Sequence, residues 1–191
     1  MNNKYSILEI IKNIYSFFLT KLFFSNARLI RRPIYIRGKN SIDGGNNLTT
    51  GYRCRFDLDG RKKTLTIGDD CEFGDYTHIV ALNNVKIGNN VLIASKVFIS
   101  DTSHGNYKGY FQDSPKIVPN KRSLCKDEVV IGDNVWIGEN VVILKGVTIG
   151  KGSIIGANSV VSRNIEENSI AVGAPAKVIK KYQNEEWRYI K

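Results

Sequence analysis

A large apolar residue returns at every sixth position over much of the chain, a period that neither an α-helix nor a simple alternating strand has. Ile131, Ile137, Ile143, Ile149, Ile155 and Val161 are in register. The same step runs through Ile67, Phe73 and Ile79 and, after two extra residues, through Ile87, Ile93 and Ile99, with a weaker trace in Ile36, Ile42, Leu48 and Cys54. Four residues after most of them stands a small or β-branched side chain: Cys71, Thr77, Val91, Val97, Val135, Val141, Val147, Ser153 and Ser159. Both positions are expected to point inward. Each six-residue unit then reads as a short strand plus a turn, three units close one triangular coil, and stacked coils bury an apolar column that no single unit could bury. The expected fold class is all-β, a parallel β-helix. Gly68, Gly74, Gly88, Gly132, Gly138, Gly150 and Gly156 directly follow the large residue and are expected to permit the corner geometry.

At 191 residues and 42% apolar content the chain can bury a core as one domain with short additions. Most of the net charge of +10 is local: residues 1–39 carry Lys4, Lys12, Lys21, Lys39, Arg28, Arg31, Arg32 and Arg37 against Glu9 alone, giving +7. Such a patch suits nucleic acid, anionic lipid or an acidic substrate, and charge alone does not choose. Cys54, Cys71 and Cys125 are odd in number and form no CxxC pair, which favours reduced thiols and a cytoplasmic location. Residues 5–24 are rich in Ile, Leu and Phe, yet Glu9, Lys12 and Lys21 interrupt them, so neither a transmembrane helix nor a cleavable signal peptide is indicated. An apolar-faced helix there has two readings. It caps the open end of the β-helix, or it rests on anionic membrane with Arg28, Arg31 and Arg32 behind it.

The repeat VVIGDNVWIGENVVILKGVTIGKGSIIGANSVV and the closing AVGAPAKVI resemble the hexapeptide-repeat acyltransferases, and the resemblance covers roughly residues 34–181. Within that family the chain is similar to the maltose and galactoside O-acetyltransferases and, more closely, to the O-acetyltransferases of bacterial surface polysaccharides. The resemblance implies a left-handed coil, a homotrimer with sites between subunits, acetyl-CoA as donor, a carbohydrate acceptor and no nucleic-acid partner. The expected organisation is an N-terminal helical cap or membrane-surface segment at 1–33, a β-helix domain at 34–181 with an inserted loop at 103–128, and a C-terminal extension at 182–191.

The hexads stop after Ile99 and resume at Ile131, and function concentrates on long loops carried by rigid scaffolds. His104 opens this loop, where the family's catalytic histidine also stands. Acetyl transfer to a hydroxyl needs a base, and imidazole suits neutral pH. Asp101, three residues earlier, is a candidate to orient the ring or a solvated turn residue. His78 is the rival histidine, better suited to packing or acceptor contact than to base catalysis. Where the maltose-type enzymes have an asparagine after the inward residue, this chain has Gly74, so Asp75, Asn83 and Tyr107 join His78 as acceptor candidates. For the donor, Trp136, Gly138, Ala157 and Ser162 match positions that wall the pantetheine arm, and Lys177 and Lys180 match basic positions near the nucleotide end. No metal site is expected. Direct transfer is preferred over a covalent acyl-enzyme because Cys54 and Cys71 fall at inward positions. Three functions stay open at this point: an O-acetyltransferase of lipopolysaccharide O-antigen or capsule assembly; an amino-sugar N-acetyltransferase or a chloramphenicol- or streptogramin-type drug acetyltransferase; and a non-catalytic β-helix scaffold.

Overall fold

Because each hexad offers two inward side chains and only a short run of extended backbone, it folds into a strand of two to four residues that pairs with the same hexad one coil above and below. The computed structural model describes residues 5–190 and shows a three-faced β-helix with parallel strands on every face. The first face stacks Leu29–Ile30, Thr49–Thr50, Glu72–Phe73, Leu92–Ile93, Trp136–Ile137, Ile154–Ile155 and Ser169–Val172. The second stacks Tyr35–Arg37, Arg55–Leu58, His78–Ala81, Phe98–Ser100, Val142–Ile143 and Val160–Val161. The third stacks Ile42–Gly44, Leu65–Ile67, Val85–Ile87, Val129–Ile131 and Thr148–Ile149. The register is the one the sequence spacing demands, with Ile93 beside Phe73 and Ile137, and Ile99 beside Ile79 and Ile143.

The twelve large residues from Ile67 to Val161 are 3% exposed or less, and the small residues four positions later 1% or less. Both expected inward sets therefore form one column. Ile36 and Ile42 are only half-buried, because their coil lies at the open end of the prism, beside a cavity of about 220 Å³ lined also by Phe23 and Phe24.

The corner glycines permit the corner geometry through close packing. Gly68 and Gly132 do not adopt left-handed backbone; that conformation falls two residues later, at Asp70 (φ 57°) and Asn134 (φ 57°) and at the equivalent Asn90, Asn140 and Asn158. A Cβ on Gly68 would lie 2.5 Å from the Gly88 carbonyl carbon, and one on Gly132 2.6 Å from the Lys151 nitrogen. Glycine is thus required by the close stacking of one coil on the next, not by its torsional freedom.

The two ends extend the prism. Helix α1 (Ile7–Phe23) starts at a capping box in which Ser6 and Glu9 satisfy each other's exposed donors and acceptors, and ends at Phe24. The first coil strand already begins at Leu29, within the segment assigned above to the cap. At the other end Lys177–Gln183 and Glu186–Tyr189 form an antiparallel hairpin on the first face, so one strand runs through position 182. Trp187 packs on Tyr182 with ring centroids 5.3 Å apart.

Candidate active site

The insertion leaves the prism at the corner between the second and third faces, after Phe98–Ser100. Its two legs pair as an antiparallel ribbon, Thr102–His104 against Leu124–Lys126, with His104 opposite Leu124. The ribbon root is fixed from both sides. Lys126 Nζ donates to the Leu82 carbonyl (3.2 Å) and Asn84 to Glu128 (3.0 Å) on the preceding coil, while Asp127 pairs with Lys145 on the next.

His104 sits at the top of this ribbon with its ring exposed, and no side chain among the described residues hydrogen-bonds the imidazole. Its backbone is held more firmly. Tyr107 Oη donates to the His104 carbonyl (2.8 Å) and accepts from Arg122 Nη1 (2.7 Å), and the Gly105 N–H donates to Ser123 O (2.7 Å). Arg122 also donates to the carbonyls of Ile117 (2.9 Å) and Pro115 (3.2 Å), drawing the far limb of the loop over Tyr107. Asp113 accepts from the Asn106 N–H (2.7 Å) and the Ser123 hydroxyl (3.0 Å), and these hydrogen bonds, backbone first, hold its carboxyl below the ordinary range. Arg122 and Asp113 carried no positional signal in the sequence, since the loop has no repeat against which to place them.

The structure gives Asp101 a different task from orienting the imidazole. Its fully buried carboxylate accepts the N–H groups of Leu82 (3.1 Å), Asn83 (2.6 Å) and Asn84 (2.8 Å), the lengthened turn of the coil below. The two extra residues in that hexad leave three amides without a strand partner, and Asp101 satisfies them while anchoring the loop three residues before His104. Asn83 is thereby a turn residue at the same corner.

His78 lies on the outer side of the second face. Its Nε2 is 3.0 Å from Asp57 Oδ2, and its ring lies against Phe98 with centroids 5.2 Å apart. Arg55 Nε (2.7 Å) and Arg37 Nη1 (3.3 Å) share the same carboxylate. Partial burial works to raise the Asp57 pKa, but the hydrogen bonds from His78 and Arg55 and the charges of Arg55 and Arg37 outweigh it, leaving the group below the usual carboxylate range. The spacing that joins Asp57 to His78 is one coil, legible only once the coil length is known. Asp75 occupies a corner, where its Oδ1 accepts the Tyr52 N–H (2.7 Å). It also lines a groove of about 400 Å³ with Gly74, Ser95, Leu92, Glu72 and Arg31.

The donor candidates other than Ser162 lie on the first face and its adjoining corner. Leu92, Trp136, Ile154 and Ile170 are lateral neighbours, with Trp136 50% exposed. Gly138 and Ala157 stack at the adjacent corner, where a Cβ on Gly138 would come 2.6 Å from the Ala157 nitrogen, so Gly138 is buried beneath the next coil and Ala157 stands exposed above it. Lys177 and Lys180 continue the same sheet, opposite Val172 and Ile170. An apolar wall and two nearby ammonium groups fit a pantetheine arm ending in phosphates. Ser162 is exposed at a different corner, after the second-face strand Val160–Val161.

Cys54 is pushed up to about 12 by burial, and burial also raises Cys71, so neither supplies a thiolate at neutral pH. Among the described residues no group of three or more His, Cys, Asp or Glu could hold a metal ion.

Comparison with known proteins agrees with this architecture. The bacterial transferase hexapeptide (six repeats) family model matches residues 128–163. WbbJ of Escherichia coli (strain K12), named as a lipopolysaccharide biosynthesis O-acetyl transferase, is 45% identical over 183 residues, covering 95% of this chain and 93% of its own. Among solved structures, AntD, an N-acyltransferase from Bacillus cereus in complex with dTDP-4-amino-4,6-dideoxyglucose and coenzyme A, superposes with a TM-score of 0.72 at 25% identity, covering 97% of this chain and 94% of that one. A hexapeptide-repeat acetyltransferase from Vibrio cholerae O1 biovar eltor, complexed with acetyl coenzyme A, gives 0.60 at 27% identity over 75% and 72% of the two chains. The fold is that of a left-handed β-helix acyltransferase. The chain belongs to the hexapeptide-repeat acetyltransferase family.

Proposed function

We propose that this protein transfers the acetyl group of acetyl-CoA to a sugar hydroxyl during assembly of a bacterial surface polysaccharide, lipopolysaccharide O-antigen or capsule, with His104 as general base. The observation that carries the reading is His104 itself: backbone fixed by the ribbon and by Tyr107, ring unengaged and exposed at the mouth of the inserted loop. The likeness to WbbJ over nearly the whole chain supports the acceptor class.

Acetyl-CoA supplies an acyl group activated as a thioester. His104 accepts the hydroxyl proton as the oxygen attacks the carbonyl, and returns it to the departing sulfur. A backbone N–H or a loop donor holds the developing oxyanion. Trp136, Gly138 and Ala157 wall the donor, Ser162 contributes from the neighbouring corner, and Lys177 and Lys180 meet its phosphates. Tyr107 lies against His104, and Asp75 and His78 line surfaces open to the acceptor. The working unit is a homotrimer with donor slots between subunits, acting in the cytoplasm with residues 5–32 toward the inner face of the membrane.

A second reading, N-acyl transfer to an amino sugar, is favoured by the likeness to AntD along 97% of the chain. Release of free CoA from acetyl-CoA, measured with hydroxyl sugars and with amino sugars, separates the two. Release with hydroxyl acceptors is expected. Release with amines alone would overturn the hydroxyl reading, and a protein that neither binds nor consumes acetyl-CoA would overturn both.

A further inference from the structure

Helix α1 is mounted inside out. A helix that packs on a core normally turns its apolar stripe inward, but the only buried residues of α1 are Ser16 and Thr20. Both attach by hydrogen bonds: Thr20 Oγ1 accepts the Ile30 N–H (2.8 Å), and Ser16 Oγ accepts the Arg32 N–H (3.2 Å). The opposite side is apolar and open. Ile7 is 77% exposed, Phe18 68% and Leu22 71%, and Leu8, Ile11, Ile14 and Tyr15 continue the same face. Capping of the prism is left to Phe23, the last residue of the helix, and to Phe24.

Cations also gather beside this face. Lys12, Arg31, Arg32, Lys39 and Arg53, all at the α1 end, form no ion pair among the described residues. Lys12, Arg32 and Arg53 line a cleft of about 710 Å³ with Tyr15 and Tyr52, directly beside the apolar face. The one carboxylate there, Glu9, is engaged by the Ser6 N–H and hydroxyl.

We infer that α1 is an interfacial helix that seats the protein on an anionic phospholipid surface. The apolar face enters the headgroup boundary while Lys12, Arg32 and Arg53 meet lipid phosphates at its edge. Charge decides against a second copy meeting this face like to like, because that copy would bring the same uncompensated cations. No helix among the described residues is long and apolar enough to cross a membrane, so the attachment is peripheral. The inference deepens the membrane location proposed above, and its readout is independent of turnover.

The test is flotation of the full chain with vesicles of pure phosphatidylcholine and of phosphatidylcholine with one-quarter phosphatidylglycerol. Wild type should bind the anionic vesicles and weaken with salt. Phe18→Asp should reduce binding by more than about tenfold, since a buried Phe side chain is lost from the boundary. Lys12→Ala should reduce it about fivefold, the contribution of one cation near an anionic surface. Both variants should keep CoA release on a water-soluble acceptor. Wild type that ignores both vesicle types while transferring acetyl groups would overturn the inference and leave the proposed function standing. So would a Phe18→Asp protein that falls from trimer to monomer without a change in vesicle binding, since a second copy would then cover the face. Vesicle binding without acetyl transfer would overturn the function and leave this inference standing.

Discussion

At the scale of the residue, His104 and Asp101 have separate surroundings. His104 presents an unengaged ring, and Asp101 spends its carboxylate on the three amides of the Leu82–Asn84 turn. Asp101→Ala should therefore act first on stability, costing about 1–3 kcal/mol for the donors left without an acceptor, seen as a lower Tm. Tyr107→Phe removes the hydrogen bond to the His104 carbonyl and the acceptor for Arg122. It should lower kcat severalfold with little change in Tm. Asp57 gives a pH-dependent prediction. Its folded pKa lies below the unfolded value of about 3.9, so its contribution is complete above that pH and fades as pH falls through the lower folded value. Asp57→Asn should thus be destabilising at neutral pH, with the gap to wild type in denaturant midpoint closing under strong acid. Asp101 was visible in the sequence as a residue near His104, but its partners were not, because they lie one coil away at a turn lengthened by two residues.

At the scale of the element, the hexad strands were fully legible, since a period of six with two inward positions admits one arrangement, and Ile67 through Val161 follow it. The corners were legible in position, but the reason for glycine there was not. Close coil stacking, not left-handed backbone, fixes glycine after the inward residue. Gly132→Ala should accordingly lower the Tm, because the obstructing atom is the Lys151 backbone nitrogen, which cannot rotate away. Asn134→Gly, at φ 57°, should stay within about 1 kcal/mol of wild type. Ile99→Ala, under the root of the inserted ribbon, should cost about 2–5 kcal/mol by leaving a cavity in the column. The inserted ribbon itself was legible only as a gap in the repeat. Its order rests on Arg122, Asp113 and Tyr107, which are sparse and have no period.

At the scale of the whole molecule, a stiff prism carries one long excursion and one inverted helix, and each has a separate use. The prism presents Trp136 on its first face, where the donor is proposed to lie, the excursion brings His104 to a corner, and α1 offers an apolar surface at the far end. The helix was legible as amphipathic, but its orientation was not, because sequence shows that two faces differ without showing which one packs. The central claim is that His104 removes the acceptor proton. Its most direct measurement is the turnover of wild type and His104→Ala with acetyl-CoA and a hydroxyl sugar, followed by free CoA and by the O-acetylated product. The account predicts a fall in kcat of roughly 100-fold or more with acetyl-CoA binding retained. A variant that turns over within about tenfold of wild type would contradict it, since a general base contributes more than that.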